Sequence, residues 1–162
     1  MGEIAIRRIL ASTDFSASSN LALDYAVELA RAFGARLILL HVVEADFEAG
    51  ALSYGLQPTL AEYVEKTKQV AMERLEAAAS RVADLDVEIL LKRGTASVEI
   101  VRTAIEDACD VIVIGTRGQS ALRHMLFGST AERVLRKATC PVLAVPGEIP
   151  EGDDSTPGAG GG

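Results

Sequence analysis

The residues best suited to chemistry lie in one segment of the chain, GTRGQSALRHMLFGST. Its glycines, Gly115 and Gly118, allow the backbone to turn tightly and to present amide N–H groups to a ligand without an intervening Cβ. Gly128, Ser129 and Thr130 follow, immediately before a run with helical spacing, and the unpaired N–H groups of a helix N-terminus favour phosphate oxygens. The segment therefore predicts a two-part anion site, a turn at a strand end together with a helix N-terminus.

Each of these residues also has an ordinary structural interpretation. Gly115 can simply end a strand, and Ser129 or Thr130 can simply cap a helix. Glycines combined with Gly-Ser-Thr at a strand-to-helix edge favour anion binding over that alternative. Thr116 and Arg117 lie at the same predicted edge, and we rank the arginine below the glycines because an exposed arginine is usually only solvated.

A second polar cluster follows the first apolar run, in the sequence ILASTDFS. Asp14 can accept a hydrogen bond from a ligand hydroxyl, or it can turn the chain and cap the following helix. Thr13 lies beside it at the same predicted edge. The residues alone leave both roles of Asp14 open.

Five short apolar runs predict strands, at residues 8–12, 36–43, 86–91, 110–115 and 140–146. Most are apolar throughout, which is typical of strands covered on both faces of a largely parallel sheet. Helical spacing predicts four intervening helices, with caps at 16–20 and at Gly34 for the first, a span of 59–83 for the second, and starts at 94–95 and at 129 or 130 for the others. We expect their inward faces to include Tyr25 and Phe33 in the first helix and Ile105 and Ala108 in the third.

Strands alternating with helices predict right-handed crossovers and a doubly wound α/β sheet. The 162 residues fit one domain, which we place at 1–147. Residues 148–162 are acidic and glycine-rich and have almost nothing to bury, so they predict a flexible tail.

Composition excludes several classes of function. The net charge is −7, four of the negative charges lie in the tail, and no basic stripe is present, so we expect no nucleic-acid partner. No apolar run approaches the twenty or so residues of a membrane span, which predicts no membrane partner. The two cysteines lack the spacing of a disulfide framework or zinc site, and the N-terminus lacks a signal-peptide core, so we expect a cytoplasmic protein.

Enzyme and metal motifs are missing from the sequence. His41 and His124 have no second ligand at a metal-binding spacing, so we predict no metal site. Neither a G-x-S-x-G elbow nor a G-x-x-x-x-G-K-[ST] loop is present. We therefore assign no catalytic residue and expect at most slow turnover.

The pattern Gly115-x2-Gly118-x9-Gly128-Ser129 resembles the G-2x-G-9x-G-[S/T] nucleotide motif of the universal stress protein (UspA) family. The similarity extends over about residues 5–146 and includes the runs ILASTDFS, LILLHVV and ATCPVLAVP. It implies a Rossmann-like, adenine nucleotide alpha hydrolase-like fold with five strands in the order 3-2-1-4-5. Strands one and four would then be neighbours whose connections leave in opposite directions, which opens a crevice at their carboxyl ends.

The same resemblance implies a site for ATP, with or without Mg²⁺. Asp14 would hold the ribose end of the nucleotide, and the backbone of Val42 would contact an edge of the adenine. Relatives dimerise through the last strand, which implies a homodimer, or a heterodimer with a paralogue, through Val142, Leu143 and Val145.

Two positions depart from the family pattern. Ala131 stands where some ATP-binding relatives have another hydroxyl residue, which removes one potential phosphate contact. Ala96 stands where many relatives have proline, a change that affects rigidity more than chemistry. Neither position alters the glycine pattern.

Three functions remain open from the sequence. The first is a stress-response switch or regulatory protein that binds ATP and hydrolyses it slowly at most, since occupancy alone can shift a conformation or a partner's affinity. The others are a slow ATPase or phosphotransfer enzyme and a dimeric scaffold that binds no nucleotide. The glycine segment favours the first, because it argues for holding a nucleotide and nothing beside it argues for consuming one quickly.

Overall fold

A computed structural model describes residues 4–44, 57–117 and 127–147, with the backbone alone for 57–61. The strands are β1 (Arg8–Ser12), β2 (Arg36–Glu44), β3 (Val87–Gly94), β4 (Val111–Gly115) and β5 (Val142–Val145). The helices are α1 (Ala17–Phe33), α2 (Gln57–Ser80), α3 (Ala96–Glu106) and α4 (Ser129–Lys137). All the predicted elements are therefore present. The tail predicted from residue 148 onward lies outside the described residues.

The five strands form one parallel sheet in the order β3-β2-β1-β4-β5, which confirms the predicted topology. β1 is central and ends at Ser12, opposite Leu40 of β2. β2 and β3 stay paired as far as Glu44 and Gly94, so these two strands extend beyond the end of β1.

Helices cover both faces of the sheet, which explains why the strands are apolar throughout. Ile9 and Ala11 of β1 belong to the core beneath α1 and α2, whereas Leu10 belongs to the core beneath α3 and α4. All three side chains are at most 1% exposed. Alternate residues of each strand therefore point into the two cores on opposite faces of the sheet.

The ends of α1 follow the predicted capping chemistry. The Ser16 side chain accepts a hydrogen bond from Ser19 N at 3.2 Å, and Gly34 closes the helix at φ 61°. A residue with a Cβ is strained in that left-handed conformation.

Parts of the predicted inward helix faces were wrong. Tyr25, Phe33 and Ile105 are 52%, 51% and 55% exposed, and Ala108 lies beyond the end of α3 with φ 47°. The buried stripe of α1 is narrower than its apolar pattern and consists mostly of small residues: Ser18, Ser19, Ala22, Ala26, Val27 and Ala30. Small side chains let the helix lie close to the sheet, and the larger aromatic rings then remain at its flank.

β5 forms one edge of the sheet and pairs only with β4 among the described strands. Val142 and Leu143 are half-buried. Val145 is only 3% exposed because its side chain packs in the core beneath α1. Because the monomer already buries this side chain, Val145 could contribute only its backbone to the predicted dimer interface, and that interface stays a prediction.

Candidate functional site

A cleft of about 860 Å³ opens at the carboxyl ends of β1 and β4. These neighbouring strands lead to helices on opposite faces of the sheet, and such a divergence leaves a crevice between the two connections. Nearly all the predicted site residues line the cleft: Thr13, Asp14, Val42, Gly115, Thr116, Arg117, Gly128, Ser129 and Thr130. Gly118, the remaining one, lies outside the described residues.

The turn after β1 is built from local hydrogen bonds. Thr13 Oγ1 accepts a bond from Phe15 N at 3.0 Å, and Asp14 Oδ1 accepts one from Ser16 N at 3.0 Å. Phe15 adopts φ 63°, a left-handed conformation that is unusual for a residue with a Cβ. Asp14 therefore does turn the chain, as one interpretation of the sequence held, and it lines the cleft as the other held.

Val42 lies where β2 has outrun β1. Leu40 O accepts a hydrogen bond from Thr13 N at 2.9 Å, and alternate residues of a strand direct their backbone groups to the same side. The N–H and C=O of Val42 therefore point toward the side from which β1 has departed. Backbone groups in that position can pair with the edge of a planar ligand.

Gly115 ends β4 directly against α1. A Cβ on this residue would lie 2.6 Å from Ser18 Oγ and 2.8 and 2.9 Å from the backbone carbon and oxygen of Ser18. The missing Cβ thus has a reason different from the predicted one, because protein atoms and not a ligand fill that space. Sequence reasoning missed Ser18, since nothing in its local pattern indicates a strand end packed upon it.

Thr116 ties three elements together. Its N–H donates to Val145 O at 2.9 Å, and its carbonyl accepts from Gly128 N at 2.6 Å. Its side-chain oxygen is buried and has no hydrogen-bond partner among the described residues. A buried hydroxyl in that state is costly, and Thr116 also belongs to the wall of the cleft.

The N-terminus of α4 opens into the cleft. Ser129 begins the helix, which confirms the predicted start, and Gly128 is the N-cap without a side-chain hydrogen bond, so the alternative in which Ser129 or Thr130 caps the helix is wrong. The N–H groups of the first turn have no acceptor within the helix, while Glu132 N bonds to Gly128 O at 3.0 Å. The backbone donors of this turn and the residues Ser129 and Thr130 therefore lie at the same cleft.

α2 supplies a wall of the cleft that sequence reasoning missed. Tyr63, Thr67, Val70 and Arg74 follow one another at helical spacing and line the cleft. Tyr63 and Val70 are 49% and 40% exposed. Both are large apolar or aromatic residues outside the buried stripe of α2, and this was the signal that the sequence offered. Sequence reasoning followed the spacing of the buried stripe and so did not assign these residues to a site.

His41, for which the sequence predicted no role in metal binding, also lines the cleft. Its Nδ1 lies 2.7 Å from the carbonyl oxygen of Thr13, and its ring lies 4.5 Å from that of Phe15 between centroids. Burial lowers the pKa of His41, although the hydrogen bond to Thr13 and the charge of Asp14 act in the opposite direction. The guanidinium carbon of Arg74 lies 5.3 Å from the centre of the Phe15 ring and completes a stack.

The described ranges contain no group of three or more His, Cys, Asp or Glu side chains arranged to hold a metal ion. Burial raises the pKa of the Cys109 thiol to about 12 and raises that of Cys140, so neither thiol is poised as a nucleophile. No helix within these ranges is both long and apolar enough to cross a membrane.

Comparison with known proteins gives a consistent result. The family model of the universal stress protein family matches residues 5–146. The universal stress protein YxiE of Bacillus subtilis is 35% identical over 144 residues, which cover 85% of this chain and 97% of the relative.

Solved structures share the fold. That of the universal stress protein MJ0577 of Methanocaldococcus jannaschii is similar with a TM-score of 0.81 and 26% identity, over 90% of this chain and 99% of that one. A universal stress protein in complex with cAMP has a TM-score of 0.63 at 24% identity, covering 89% of this chain and 99% of its own. One from Archaeoglobus fulgidus in complex with dAMP has a TM-score of 0.59 at 23% identity, covering 88% and 99%.

Proposed function

The chain belongs to the universal stress protein family, and from that premise we propose that it binds an adenine nucleotide, foremost ATP, in the cleft between β1 and β4. In this proposal occupancy of the cleft regulates the protein in a stress response, and hydrolysis is slow at most. Binding changes a regulatory equilibrium only to the extent that the ligand prefers one state, so occupancy can act without rapid turnover.

One observation carries the proposal. Thr116 lines the cleft together with the first turn of α4, and its buried hydroxyl lacks a partner among the described residues. Helix N-terminal amides and the hydroxyls of Ser129 and Thr130 are donors suited to phosphate oxygens. An anionic ligand would satisfy several donors at once, which is how the residues present fit a nucleotide phosphate.

The other end of the cleft suits the nucleoside. In this proposal the backbone groups of Val42 would pair with an adenine edge, and the carboxylate of Asp14 would accept hydrogen bonds from ribose hydroxyls. A volume of about 860 Å³ lies within the usual range for ligand sites. The proteins solved with cAMP and dAMP share the fold and bind adenine nucleotides; at their low identity they support what the fold can hold, and the residues of this chain support the rest.

ATP usually arrives with Mg²⁺, which neutralises phosphate charge. We assign the ion no protein ligands and propose that the phosphate oxygens themselves would hold it. Assembly is a separate part of the proposal: the edge of β5 that pairs with no other described strand would pair with a second copy or with a paralogue, through the strand backbone, Val142 and Leu143.

The test is a matched pair of threonine variants. Thr116→Val removes the hydroxyl that has no partner, so the variant should keep or gain stability yet bind ATP about 10- to 150-fold more weakly, as for loss of a hydrogen bond to a charged group. Thr103→Val is the control, because this threonine is equally buried but its hydroxyl donates to Glu99 O at 2.7 Å on α3 and it does not line the cleft. Affinities come from calorimetry, after the nucleotide that co-purifies with the protein is identified.

Three outcomes decide the matter. Equal ATP affinity in Thr116→Val and wild type would contradict the assigned phosphate end. Absence of ATP, ADP and AMP binding at millimolar concentration would favour the scaffold. Steady hydrolysis by the purified protein approaching ~1 s⁻¹, the lower end of ordinary enzyme turnover, would favour an ATPase or phosphotransfer enzyme.

A further inference from the structure

His41 contacts both neighbours of Asp14 in the chain. Its Nδ1 lies 2.7 Å from Thr13 O, and its ring lies 4.5 Å from that of Phe15, inclined by 35°. Asp14 itself lies between these two held residues. A histidine on β2 thus grips the turn after β1 at two points.

The chemistry of the first contact fixes the tautomer of the ring. A carbonyl oxygen can only accept, so His41 Nδ1 must carry the hydrogen and donate it. Burial lowers the pKa of His41, which keeps the ring neutral at neutral pH. The donor is therefore present whether or not the ring gains a second proton.

The second contact compensates a strained backbone. Phe15 adopts φ 63°, which a residue with a Cβ occupies only when its surroundings hold it. The His41 ring packs against the Phe15 ring, and the Arg74 guanidinium carbon lies 5.3 Å from the centroid of the latter. This stack ties the turn to β2 and to α2.

We propose that His41 is a positioning residue, which holds the Thr13–Phe15 turn so that the Asp14 carboxylate is directed at the ribose hydroxyls of the bound nucleotide. This inference rests on the proposed function. It requires no direct contact between His41 and the ligand. Its consequence is that the contribution of His41 to affinity passes entirely through the ribose hydroxyls.

That consequence defines the experiment. His41→Phe keeps an aromatic ring against Phe15 but removes the donor to Thr13 O, and binding of ATP is compared with binding of 2′,3′-dideoxy-ATP, which lacks both ribose hydroxyls. The variant should bind ATP about tenfold more weakly, in line with one hydrogen bond, and should bind the dideoxy analogue within about twofold of wild type. His41→Asn, whose side-chain amide can again donate to Thr13 O, should recover most of the ATP affinity.

Other results overturn the inference. An equal loss for ATP and the analogue would show that His41 merely supports the fold, and no loss for ATP would show that the turn needs no such support. A failure of wild type to bind either nucleotide would instead refute the proposed function, and the inference with it. The urea midpoint monitors folding, and His41→Ala takes the place of His41→Phe in the same comparison if the phenylalanine variant does not fold.

Discussion

Replacement of Gly115 by alanine tests whether this glycine serves packing or ligand approach. The added Cβ would lie 2.6 Å from Ser18 Oγ and within 2.9 Å of two backbone atoms of Ser18, and backbone in the first turn of α1 cannot rotate away as a side chain can. Overpacking of this kind costs about 1–3 kcal/mol. For a chain of this size, each kcal/mol lowers Tm by about 2–4 °C.

The assay is urea unfolding followed by circular dichroism, without nucleotide. Gly147→Ala is the matched control, because its Cβ would meet the same Ser18 but only at 3.2 Å from the side chain. The Ser18 side chain must shift slightly to accept this Cβ, which costs some stability. Alanine also lowers the entropy of the unfolded chain, which stabilises the folded state by about 0.4–1 kcal/mol. The free energy of unfolding of the control should therefore be close to that of wild type. The double variant Gly115→Ala/Ser18→Ala should recover only part of the loss, since the backbone contacts remain.

One result would refute this reasoning. If Gly115→Ala is as stable as wild type but binds ATP more weakly, the absent Cβ serves the ligand and the packing argument fails. If stability falls and the folded fraction at low temperature still binds ATP, the glycine belongs to the scaffold of the cleft.

The remaining predictions concern a helix cap, pH and assembly. Ser16→Ala removes the acceptor for Ser19 N at the start of α1 and should lower the free energy of unfolding by about 0.5–2 kcal/mol in urea. Burial lowers the pKa of His41 in the folded state, so the unfolded state binds the proton first as the pH falls. The free energy of unfolding is therefore full above the ordinary histidine pKa. It decreases as the pH falls through that value toward the lowered pKa of the folded state. Urea midpoints at several pH values should show this decline blunted in His41→Phe but retained in His124→Asn; an identical decline in both variants would assign it to other groups. Wild type should elute as a dimer at micromolar concentration in size-exclusion chromatography and Leu143→Arg as a folded monomer, whereas a monomeric wild type would contradict pairing through β5.

The strands and helices could be predicted because their signals are local. Caps such as Ser16 and Gly34 and continuous apolar strands are readable in a few residues, and the strand order followed from a family resemblance. The exposure of Tyr25 and Ile105 could not be predicted from spacing, because the width of a buried stripe depends on how closely a helix approaches the sheet.

The residues of the cleft that follow the strands could be predicted, but those that helices contribute could not. Residues at the carboxyl ends of parallel strands must share one edge, so the sequence predicts that Asp14 and Thr116 lie near each other. Ser18 meets Gly115, and Arg74 reaches the cleft, by tertiary packing from helices, and no motif connects either residue to the site. The grip of His41 on the turn depends on β2 passing beyond β1, which is a matter of register that only the paired strands reveal.

The unequal lengths of the strands give the sheet a stepped edge. β1 ends opposite Leu40, whereas β2 and β3 continue for four more residues, to Glu44 and Gly94. At about 3.3 Å per residue, these two strands extend about 13 Å beyond the end of β1. The length of this extension does not depend on the base of the cleft, because β1, β4 and α4 form that base. Lengthening or shortening β2 and β3 would deepen or flatten the cleft in increments of one residue. The fold could in this way accept ligands of different length while the proposed phosphate end stays unchanged.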